Sequence, residues 1–362
     1  MIYEYWLANA AGISDRKKRK LREKLGSGEE LYNIEETKLM QIPFLEEKEK
    51  TALLSAKKSA SKREAEREYR ELEKKKIRFV PYFSPEYPKR LEKTTGAPYA
   101  LYVKGKLPEE TAVTAAIVGA RTCTPYGEAQ ALEYGQALAQ AGVSVVSGMA
   151  RGIDGAGQRG ALNGGGEIYS VLGCGVDICY PRENFGLYMD MQKRGGVLSE
   201  LAPGTKPLPY HFPARNRIIS GLSDYVLVME AREKSGSLIT ADLALEQGKD
   251  VYALPGPVTS PLSRGCHRLL KEGAGILVSP EDLLDEMNLG SAKVGQIIIK
   301  NEKMLETREK LVYSCLGFSP KGVNQLAEET RLPAREVLQQ LFSLQMRGII
   351  KEISKNYYVR VR

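Results

Sequence analysis

The sequence predicts an α/β protein built around a doubly wound, mostly parallel β-sheet. Two observations lead to this prediction. Between residues 112 and 280, short apolar segments alternate with stretches of helical pattern about ten residues long. The residues on either side lack this alternation. The predicted strands are Val113–Val118, Val143–Ser147, Ile168–Leu172, Val197–Leu201, Tyr225–Met229, Val251–Leu254 and Ile276–Val278. The predicted helices are Gly127–Ala141, Asp154–Leu162, Glu183–Lys193, Ala214–Leu222, Leu238–Gln247 and Gly265–Glu272.

Residues 1–80 predict a helical domain that ends in a charged connector helix. Trp6, Leu21 and Leu25 belong to short helical patterns, and from Glu46 to Arg78, 20 of the 33 residues are charged. Both charge signs are interleaved there, which favours a solvated, salt-bridged helix over a DNA-binding one. Three prolines within residues 79–88 exclude a helix and predict an extended link to the central domain, residues 81–290.

Residues 300–362 predict a winged-helix domain, because three helical patterns precede two short strand patterns. Such domains bind either duplex DNA or proteins. No run of base-reading side chains distinguishes the two, so both remain open. The predicted elements are Leu305–Leu316, Gly322–Glu329, Pro333–Arg347, Ile349–Ile353 and Tyr357–Val361.

Composition excludes several classes of protein. Of the 362 residues, 42% are hydrophobic and 27% charged, which is the balance of a globular protein rather than a disordered one. Five scattered cysteines form no CxxC pair, and the two histidines, His211 and His267, leave little room for a metal site or a Ser-His-Asp triad. No secretory signal or membrane-spanning apolar run is present, so we expect a cytoplasmic protein without membrane contact.

The net charge of +8 is carried by the flanks of the chain. Residues 1–80 contribute +5 and residues 291–362 contribute +6, whereas residues 81–290 contribute −3. If the central domain binds a polyanion, it therefore needs a local patch of arginines and backbone amides.

Glycine-rich segments follow four of the predicted strands. Because ligands bind at the carboxyl ends of strands in open α/β sheets, we expect these segments to meet at one edge. Glycines before helices let backbone amides approach an anion, and a row of them suits a phosphate chain. Taken singly, each glycine could simply serve a tight turn, and neither a GxGxxG after the first strand nor a P-loop motif is present. The segments are Gly119-Ala-Arg121, Gly148-Met-Ala-Arg151, Gly173-Cys-Gly175 and Lys234-Ser235-Gly236-Ser237.

Residues 209–223 combine an aromatic ring with two arginines at the start of a predicted helix. Arg215 and Arg217 flank Asn216, and Phe212 stands just before them. Guanidinium groups bind phosphate with two hydrogen bonds, and an aromatic ring stacks on an unpaired base. This combination suits single-stranded nucleic acid. The alternative is that Phe212 is a core residue and that the arginines pair with carboxylates such as Glu200 or Glu230.

Four carboxylates stand near these segments, but their spacing indicates no acid–base pair. They are Asp154, Asp177, Glu200 and Glu230. For Asp154 we expect a structural task, capping the helix that begins there.

Together these motifs resemble the DNA-processing protein A (DprA, or Smf) family. The resemblance covers residues 80–290 and extends more weakly to both flanks. It is carried by Gly119-Ala-Arg121, Ser147-Gly-Met-Ala-Arg-Gly-Ile-Asp154, Leu172-Gly-Cys-Gly-Val-Asp177, Tyr180-Pro181, Asn184, Phe212-Pro-Ala-Arg-Asn-Arg-Ile-Ile-Ser-Gly-Leu-Ser223, Glu230-Ala, Lys234-Ser-Gly-Ser-Leu-Ile-Thr-Ala241 and Pro255-Gly256.

The resemblance implies a Rossmann-like core, an N-terminal domain of the sterile-alpha-motif (SAM) type and a C-terminal winged helix. It further implies a protein without enzymatic turnover or cofactor that binds single-stranded DNA, protects it, and loads the RecA recombinase during natural transformation. Members are typically homodimers through the Rossmann-like domain. Gln158 stands where many relatives carry histidine. The resemblance also implies a set of DNA-binding residues, to which we add their neighbours in the same loops. The full set is Gly119, Arg121, Gly148, Arg151, Phe212, Arg215, Asn216, Arg217, Lys234, Ser235, Gly236 and Ser237.

A second functional hypothesis is an enzyme. Nucleoside-monophosphate phosphoribohydrolases also set glycine loops of a Rossmann-like fold around a phosphate. They carry a Pro-Gly-Gly-x-Gly-Thr loop near a glutamate, and this chain has Lys234-Ser-Gly-Ser-Leu-Ile-Thr240 in the comparable place. The missing glycines argue against this hypothesis.

Overall fold

The computed structural model describes residues 1–59, 62–289, 307–316, 320–347, 349–354 and 356–360. Six helices form the N-terminal region. Serine side chains accept hydrogen bonds from backbone amides at the start of two of them, with Ser14 capping α2 and Ser27 capping α3. The helices are α1 (Ile2–Asn9), α2 (Asp15–Leu25), α3 (Gly28–Asn33), α4 (Glu36–Met40), α5 (Glu47–Ser59) and α6 (Lys62–Lys74).

The described parts of the charged segment are helical, α5 and α6, and residues 60–61 between them lie outside the described residues. The segment is also packed rather than fully solvated. Ala65 and Leu72 of α6 are buried, and the Tyr69 ring lies edge-on to Tyr5 of α1 at 5.8 Å. Apolar residues at helical spacing therefore cover the core, while most of the interleaved charges face water, with Glu49 and Lys50 as buried exceptions.

A nine-stranded mixed sheet forms the centre of the protein, in the order β1-β2-β6-β5-β4-β3-β7-β8-β9. The seven strands from β3 to β9 are parallel to one another and confirm the predicted doubly wound sheet, with ends shifted by one or two residues. The strands are β1 (Arg78–Pro81), β2 (Ala100–Gly105), β3 (Thr114–Val118), β4 (Ser144–Ser147), β5 (Ile168–Val171), β6 (Gly195–Ser199), β7 (Tyr225–Val228), β8 (Asp250–Ala253) and β9 (Gly275–Ile276).

Two antiparallel strands at one edge of the sheet were missed from the sequence. β1 pairs with β2, and β2 pairs with β6. The prolines in residues 79–88 end β1 at Pro81 and a short helix starts at Lys89, so this stretch is extended over only part of its length.

Helices cover both faces of the sheet. Residues of β3 show this directly, since Ala115 and Ile117 belong to one buried cluster and Ala116 and Val118 to the other. The first cluster also contains the apolar residues of the N-terminal helices and of α8, α9 and α10; the second contains those of α11, α12 and α13. The helices that follow α6 are α7 (Lys89–Glu92), α8 (Pro125–Gln140), α9 (Ile153–Asn163), α10 (Phe185–Arg194), α11 (His211–Leu222), α12 (Gly236–Glu246), α13 (Arg264–Lys271) and α14 (Pro280–Glu286).

The strand order reverses between β3 and β7. Chain connections from β3 run to β4, β5 and β6 on one side, whereas β7 to β9 continue on the other side. Such a switch point opens a crevice at the carboxyl ends of the two central strands. The loops after β3 and β7 are therefore the expected walls of a ligand site.

The C-terminal region forms the predicted winged helix. Its three helices pack around a small core that includes Val312, Leu326, Val337 and Leu341, and a three-stranded sheet has the order β10-β12-β11. The elements are α15 (Thr307–Cys315), β10 (Lys321–Gly322), α16 (Val323–Thr330), α17 (Ala334–Met346), β11 (Ile350–Ser354) and β12 (Tyr357–Arg360). Across the described parts of the chain, no helix has the length and apolar character needed to span a membrane.

Candidate nucleic-acid interface

An open cleft of about 560 Å³ lies at the carboxyl ends of the central strands, at the switch point. Four cationic side chains line it, whereas Asp154 is the one carboxylate among the lining residues. The four are Arg121, Arg215, Arg232 and Lys234. The residues that line it are Val118, Gly119, Ala120, Arg121, Thr122, Ala150, Asp154, Tyr180, Pro207, Pro209, Phe212, Pro213, Arg215, Asn216, Ile219, Arg232, Lys234, Ser235, Gly236, Ser237, Thr240 and Leu262.

The N-terminus of α12 forms one wall of the cleft. Ser235 is the N-cap residue, and its hydroxyl accepts the amide hydrogen of Ser237 at 3.4 Å. The first turn of α12 carries no acidic residue, and no atom lies within 4 Å of where a Cβ on Gly236 would stand. A helix start that is open and free of acidic side chains, with Lys234 beside it, is suited to bind a phosphate.

Aromatic rings and an arginine form a second part of the cleft lining. The Phe212 ring stacks on the Tyr180 ring, with centroids 5.6 Å apart and planes inclined by 28°. The guanidinium carbon of Arg121 lies 5.2 Å from the centre of the Phe212 ring. Phe212 also packs closely over Gly173, where a Cβ would come within 2.8 Å of the ring. Phe212 is thus half-buried and held in place, with Tyr180 extending its surface.

Arg215 is buried and bonds to backbone carbonyls, which is neither of the two roles that the sequence left open. It is 5% exposed, and its Nη1 donates to the carbonyl of Gly148 at 3.1 Å and to that of Val171. Burial lowers the pKa of Arg215 to about 10, while Asp154 opposes that shift. The guanidinium therefore joins the ends of β4 and β5, and only part of the side chain borders the cleft.

Asn216 continues this internal network. Its Oδ1 accepts from Nε of Arg215 at 3.2 Å, and its Nδ2 donates to the carbonyl of Gly236 at 3.1 Å. Asn216 thereby holds the first residue of α12 against α11. Both residues of this pair position the walls of the cleft, a task that the sequence pattern did not distinguish from direct phosphate binding.

Two expectations are not met at the loop after β4, namely that Asp154 caps the following helix and that Gly148 lines the site. The N-cap of α9 is Gly152, and Asp154 lies inside the helix, where its Oδ2 accepts the amide hydrogen of Gly148 at 3.1 Å. The Gly148 amide is therefore engaged and is not among the groups that line the cleft. Burial raises the pKa of Asp154, and the adjacent Arg215 opposes the rise.

Arg217 and Arg151 are ion-paired outside the cleft. Arg217 Nη2 and Nη1 donate to the two carboxylate oxygens of Glu200, at 2.5 and 3.2 Å, and both side chains are less than one-fifth exposed. Arg151 pairs with Glu183 at the surface. For Arg217, the alternative that the sequence left open is the one observed. The structure brings neither arginine to the cleft.

The other carboxylates are also engaged in structural contacts. Glu230 is 5% exposed and accepts from the amide of Thr124 at 2.8 Å and from its hydroxyl at 2.6 Å. Asp177 accepts from the amide of Gly204 at 2.7 Å and pairs with Lys75 at 3.0 Å. Within the described residues, no group of three histidine, cysteine or carboxylate side chains is placed to hold a metal ion.

Sequence reasoning missed several residues that line the cleft. Tyr180 and Arg232 stand within segments already noted, Tyr180-Pro181 and the loop before Lys234, yet neither was singled out. An aromatic residue beside proline after a strand is the signal that could have indicated Tyr180. Of the predicted residues, the cleft combines Gly119, Arg121, Phe212, Arg215, Asn216, Lys234, Ser235, Gly236 and Ser237.

Comparisons of the sequence and of the fold with known proteins both identify one family. Residues 78–288 match the family described as DNA recombination-mediator protein A, and residues 301–353 match the DprA winged helix domain. Protein Smf of Escherichia coli is 38% identical over 297 residues, which cover 80% of this chain and 79% of that protein. DNA processing protein DprA of Streptococcus pneumoniae is 44% identical over 200 residues, covering 55% and 71% of the two chains.

Two solved structures are similar to this one. The X-ray structure of DNA processing protein A from Streptococcus pneumoniae has a TM-score of 0.69 and 32% identity, covering 79% of this chain and 98% of that one. DNA processing protein A from Helicobacter pylori, whose structure concerns a single-stranded DNA binding mode, has a TM-score of 0.53 and 29% identity, covering 58% and 95%. The chain belongs to the DNA processing protein A family.

Proposed function

We propose that this protein binds single-stranded DNA in the cleft at the switch point of its sheet. The observation that carries the proposal is the pairing of two kinds of wall in one cleft. The stacked rings of Phe212 and Tyr180, with Arg121 over Phe212, line the same cleft as the open N-terminus of α12. Rings bind the faces of bases, and a helix start with a neighbouring lysine binds phosphate.

The arrangement favours an unpaired strand over a duplex. An aromatic ring can stack on a base only where that base has left its own stack, which a single strand permits at low cost. The central domain has a net charge of −3 in sequence, so a duplex gains little general attraction from it. Binding then depends on the local cations Arg121, Arg232 and Lys234.

We propose that the protein acts by binding and not by turnover. Asp154, Glu200 and Glu230 each hold a partner within the protein, and this supports a structural use of their charge. For the phosphoribohydrolase alternative the relevant glutamate is Glu230, whose two contacts to Thr124 fix the start of α8. No particular contact in the cleft favours that alternative.

The family description supports a role in recombination. We propose that the bound strand is protected in the cleft and handed to a RecA-type recombinase, and that the protein is a homodimer through the Rossmann-like domain. The matched family of recombination mediators and the DprA relatives support the role in recombination, and the recombinase and the homodimer are what the family resemblance implies. The domain boundaries and a cytoplasmic location stay predictions. The predicted domains are residues 1–80, 81–290 and 300–362.

The decisive experiment measures binding of the full chain to fluorescent single-stranded and double-stranded oligonucleotides over a range of salt concentrations. We expect tight, salt-dependent and weakly sequence-selective binding to the single strand. Arg121→Ala is the test variant. Arg151→Ala is the matched control, since Arg151 lies outside the cleft and pairs with Glu183. Equal affinities of both variants and the parent would show that the cleft is not the binding site.

A further inference from the structure

An exposed tyrosine stands at the rim of the cleft. Tyr210 lies between Pro209 and Phe212, which both line the cleft, but it is not itself a lining residue, and 67% of it is exposed. Single exposed aromatic residues are common on protein surfaces and need no special explanation. Its fixed position, its open ring face and the charge of its surroundings set this one apart.

A restricted turn holds Tyr210 in this position. The amide of His211 donates to the carbonyl of Leu208 at 3.0 Å, which closes a turn just before α11. Pro207 and Pro209 limit the backbone conformations on the way into this turn. A ring with few rotatable bonds on a restricted backbone loses little conformational entropy when it binds a ligand.

The ring of Tyr210 keeps an open face. The Tyr210 and His211 rings meet edge to face, with centroids 4.5 Å apart and planes inclined by 72°. An edge-to-face contact covers at most one face of a ring, which agrees with the high exposure of Tyr210. Every base has a flat face of its own, so an open tyrosine face can stack on any unpaired base.

The surroundings of Tyr210 favour an anionic ligand. Residues 201–223 contain no aspartate or glutamate, and Lys206 of the same loop is exposed. Asp177 accepts from the amide of Gly204 in this loop, but its charge is balanced by Lys75 at 3.0 Å. An open ring with a cation in the same loop matches a nucleotide, which presents a base and a phosphate together.

We propose that Tyr210 stacks on a base of the DNA strand where that strand leaves the cleft. The proposal rests on the proposed function, since it needs a strand bound in the cleft. It adds the course of that strand, past Pro209 and over the loop before α11. The binding site is therefore longer than the cleft itself, and affinity depends on whether the oligonucleotide reaches Tyr210.

Binding of the full chain to oligodeoxythymidylates of increasing length tests the proposal. Tyr210→Ala should bind the shortest oligonucleotides as tightly as the parent does, because these fill only the cleft. Beyond a threshold length it should bind about fivefold or more weakly, through the loss of one stacked base. Tyr210→Phe should match the parent at every length. The matched control is Phe185→Ala, which removes another exposed ring, one outside the cleft.

Two further measurements locate the contact. When single bases are removed in turn from a longer oligonucleotide, one position should cost the parent about fivefold in affinity but cost Tyr210→Ala nothing. The fluorescence of Tyr210→Trp should be quenched by long oligonucleotides and not by the shortest ones. The background is low, because Trp6, the one tryptophan of the chain, is 4% exposed. Tyr210 is exposed and its side chain forms no cap hydrogen bond, so the fold should tolerate these changes.

Two results would overturn the proposal while leaving the proposed function intact. One is equal affinity of Tyr210→Ala and the parent at every length. The other is an equal loss at every length, the shortest included, which would place Tyr210 within the cleft and not on the path out of it. If Phe212→Ala and Arg121→Ala also bind every length as tightly as the parent, the proposed function fails as well.

Discussion

Replacing Arg217 by alanine tests whether this side chain stabilises the fold or binds DNA. Its two hydrogen bonds to Glu200 are 2.5 and 3.2 Å long, and both side chains are mostly buried. Removing one member of a buried ion pair costs about 3–5 kcal/mol, and one charged hydrogen bond contributes about 1.5–3 kcal/mol. Glu200 also borders a cavity between the N-terminal helices and the sheet, so water can reach it. We therefore expect a loss of about 3 kcal/mol in the free energy of unfolding.

This loss should depend on pH in a defined direction. Burial raises the pKa of Glu200 above its ordinary value, and Arg217 opposes the rise. A raised pKa in the folded state means that keeping Glu200 ionised costs stability, and that cost disappears as the carboxyl protonates at lower pH. Without Arg217 the pKa rises further. The difference in stability between variant and parent should therefore be largest near neutral pH and should narrow as the pH falls through the raised pKa of Glu200.

Thermal unfolding followed by circular dichroism measures both effects. A loss of about 3 kcal/mol corresponds to a fall in Tm of about 6–12 °C for a unit of this size. Glu200→Gln combined with Arg217→Ala should recover part of the loss, because no unpaired charge remains buried. In DNA binding, the salt dependence of Arg217→Ala should equal that of the parent. An unchanged Tm, together with a salt slope lower by about 0.7, would refute the reasoning and make Arg217 a phosphate contact.

Three further predictions concern the cleft. Arg121→Ala should weaken binding to every single-stranded sequence about tenfold and lower the slope of log affinity against log salt by about 0.7, as measured by fluorescence anisotropy. Phe212→Ala should cost about 1–3 kcal/mol of binding free energy with the salt slope unchanged, whereas Phe212→Trp should retain binding; equal loss in both would contradict stacking. Gly148→Ala would place a Cβ 2.5 Å from Nη2 of Arg215 and should lower unfolding stability by about 1–3 kcal/mol, with Gly186→Ala, which has open space around it, as the control.

The parallel sheet could be predicted because its strands are short apolar runs bounded by glycines. β3 and β4 are buried along their whole length, and their central residues are apolar, with Ala115, Ala116 and Ile117 in β3 and Val145 and Val146 in β4. β1 and β2 were missed for a physical reason. β1 contains Pro81, and β2 follows a segment rich in prolines, so local signals indicated an extended link. Only the antiparallel pairing of β2 with β6, a contact far apart in sequence, makes them part of the sheet.

Most residues of the cleft could be predicted from the sequence, but the different structural roles of the arginines could not. Arg121 and Arg215 both lie in motifs that bring guanidinium groups to one sheet edge. Which of them faces the solvent depends on the carbonyls of Gly148 and Val171, which converge on Arg215 only in the folded chain. Arg217 lies two positions further along the same helix and therefore points elsewhere, toward Glu200.

The helices before residue 78 share one apolar cluster with the sheet and cover part of it. Rings of Phe79 and Tyr102 lie against Tyr5 at 5.6 and 6.2 Å, and the Tyr99 hydroxyl donates to Glu4. A chain shortened to begin at Phe79 would leave this aromatic surface bare to water and prone to aggregate. The cleft is thus supported by a scaffold larger than the segment that carries its motifs, and biochemical dissection should retain the first 77 residues.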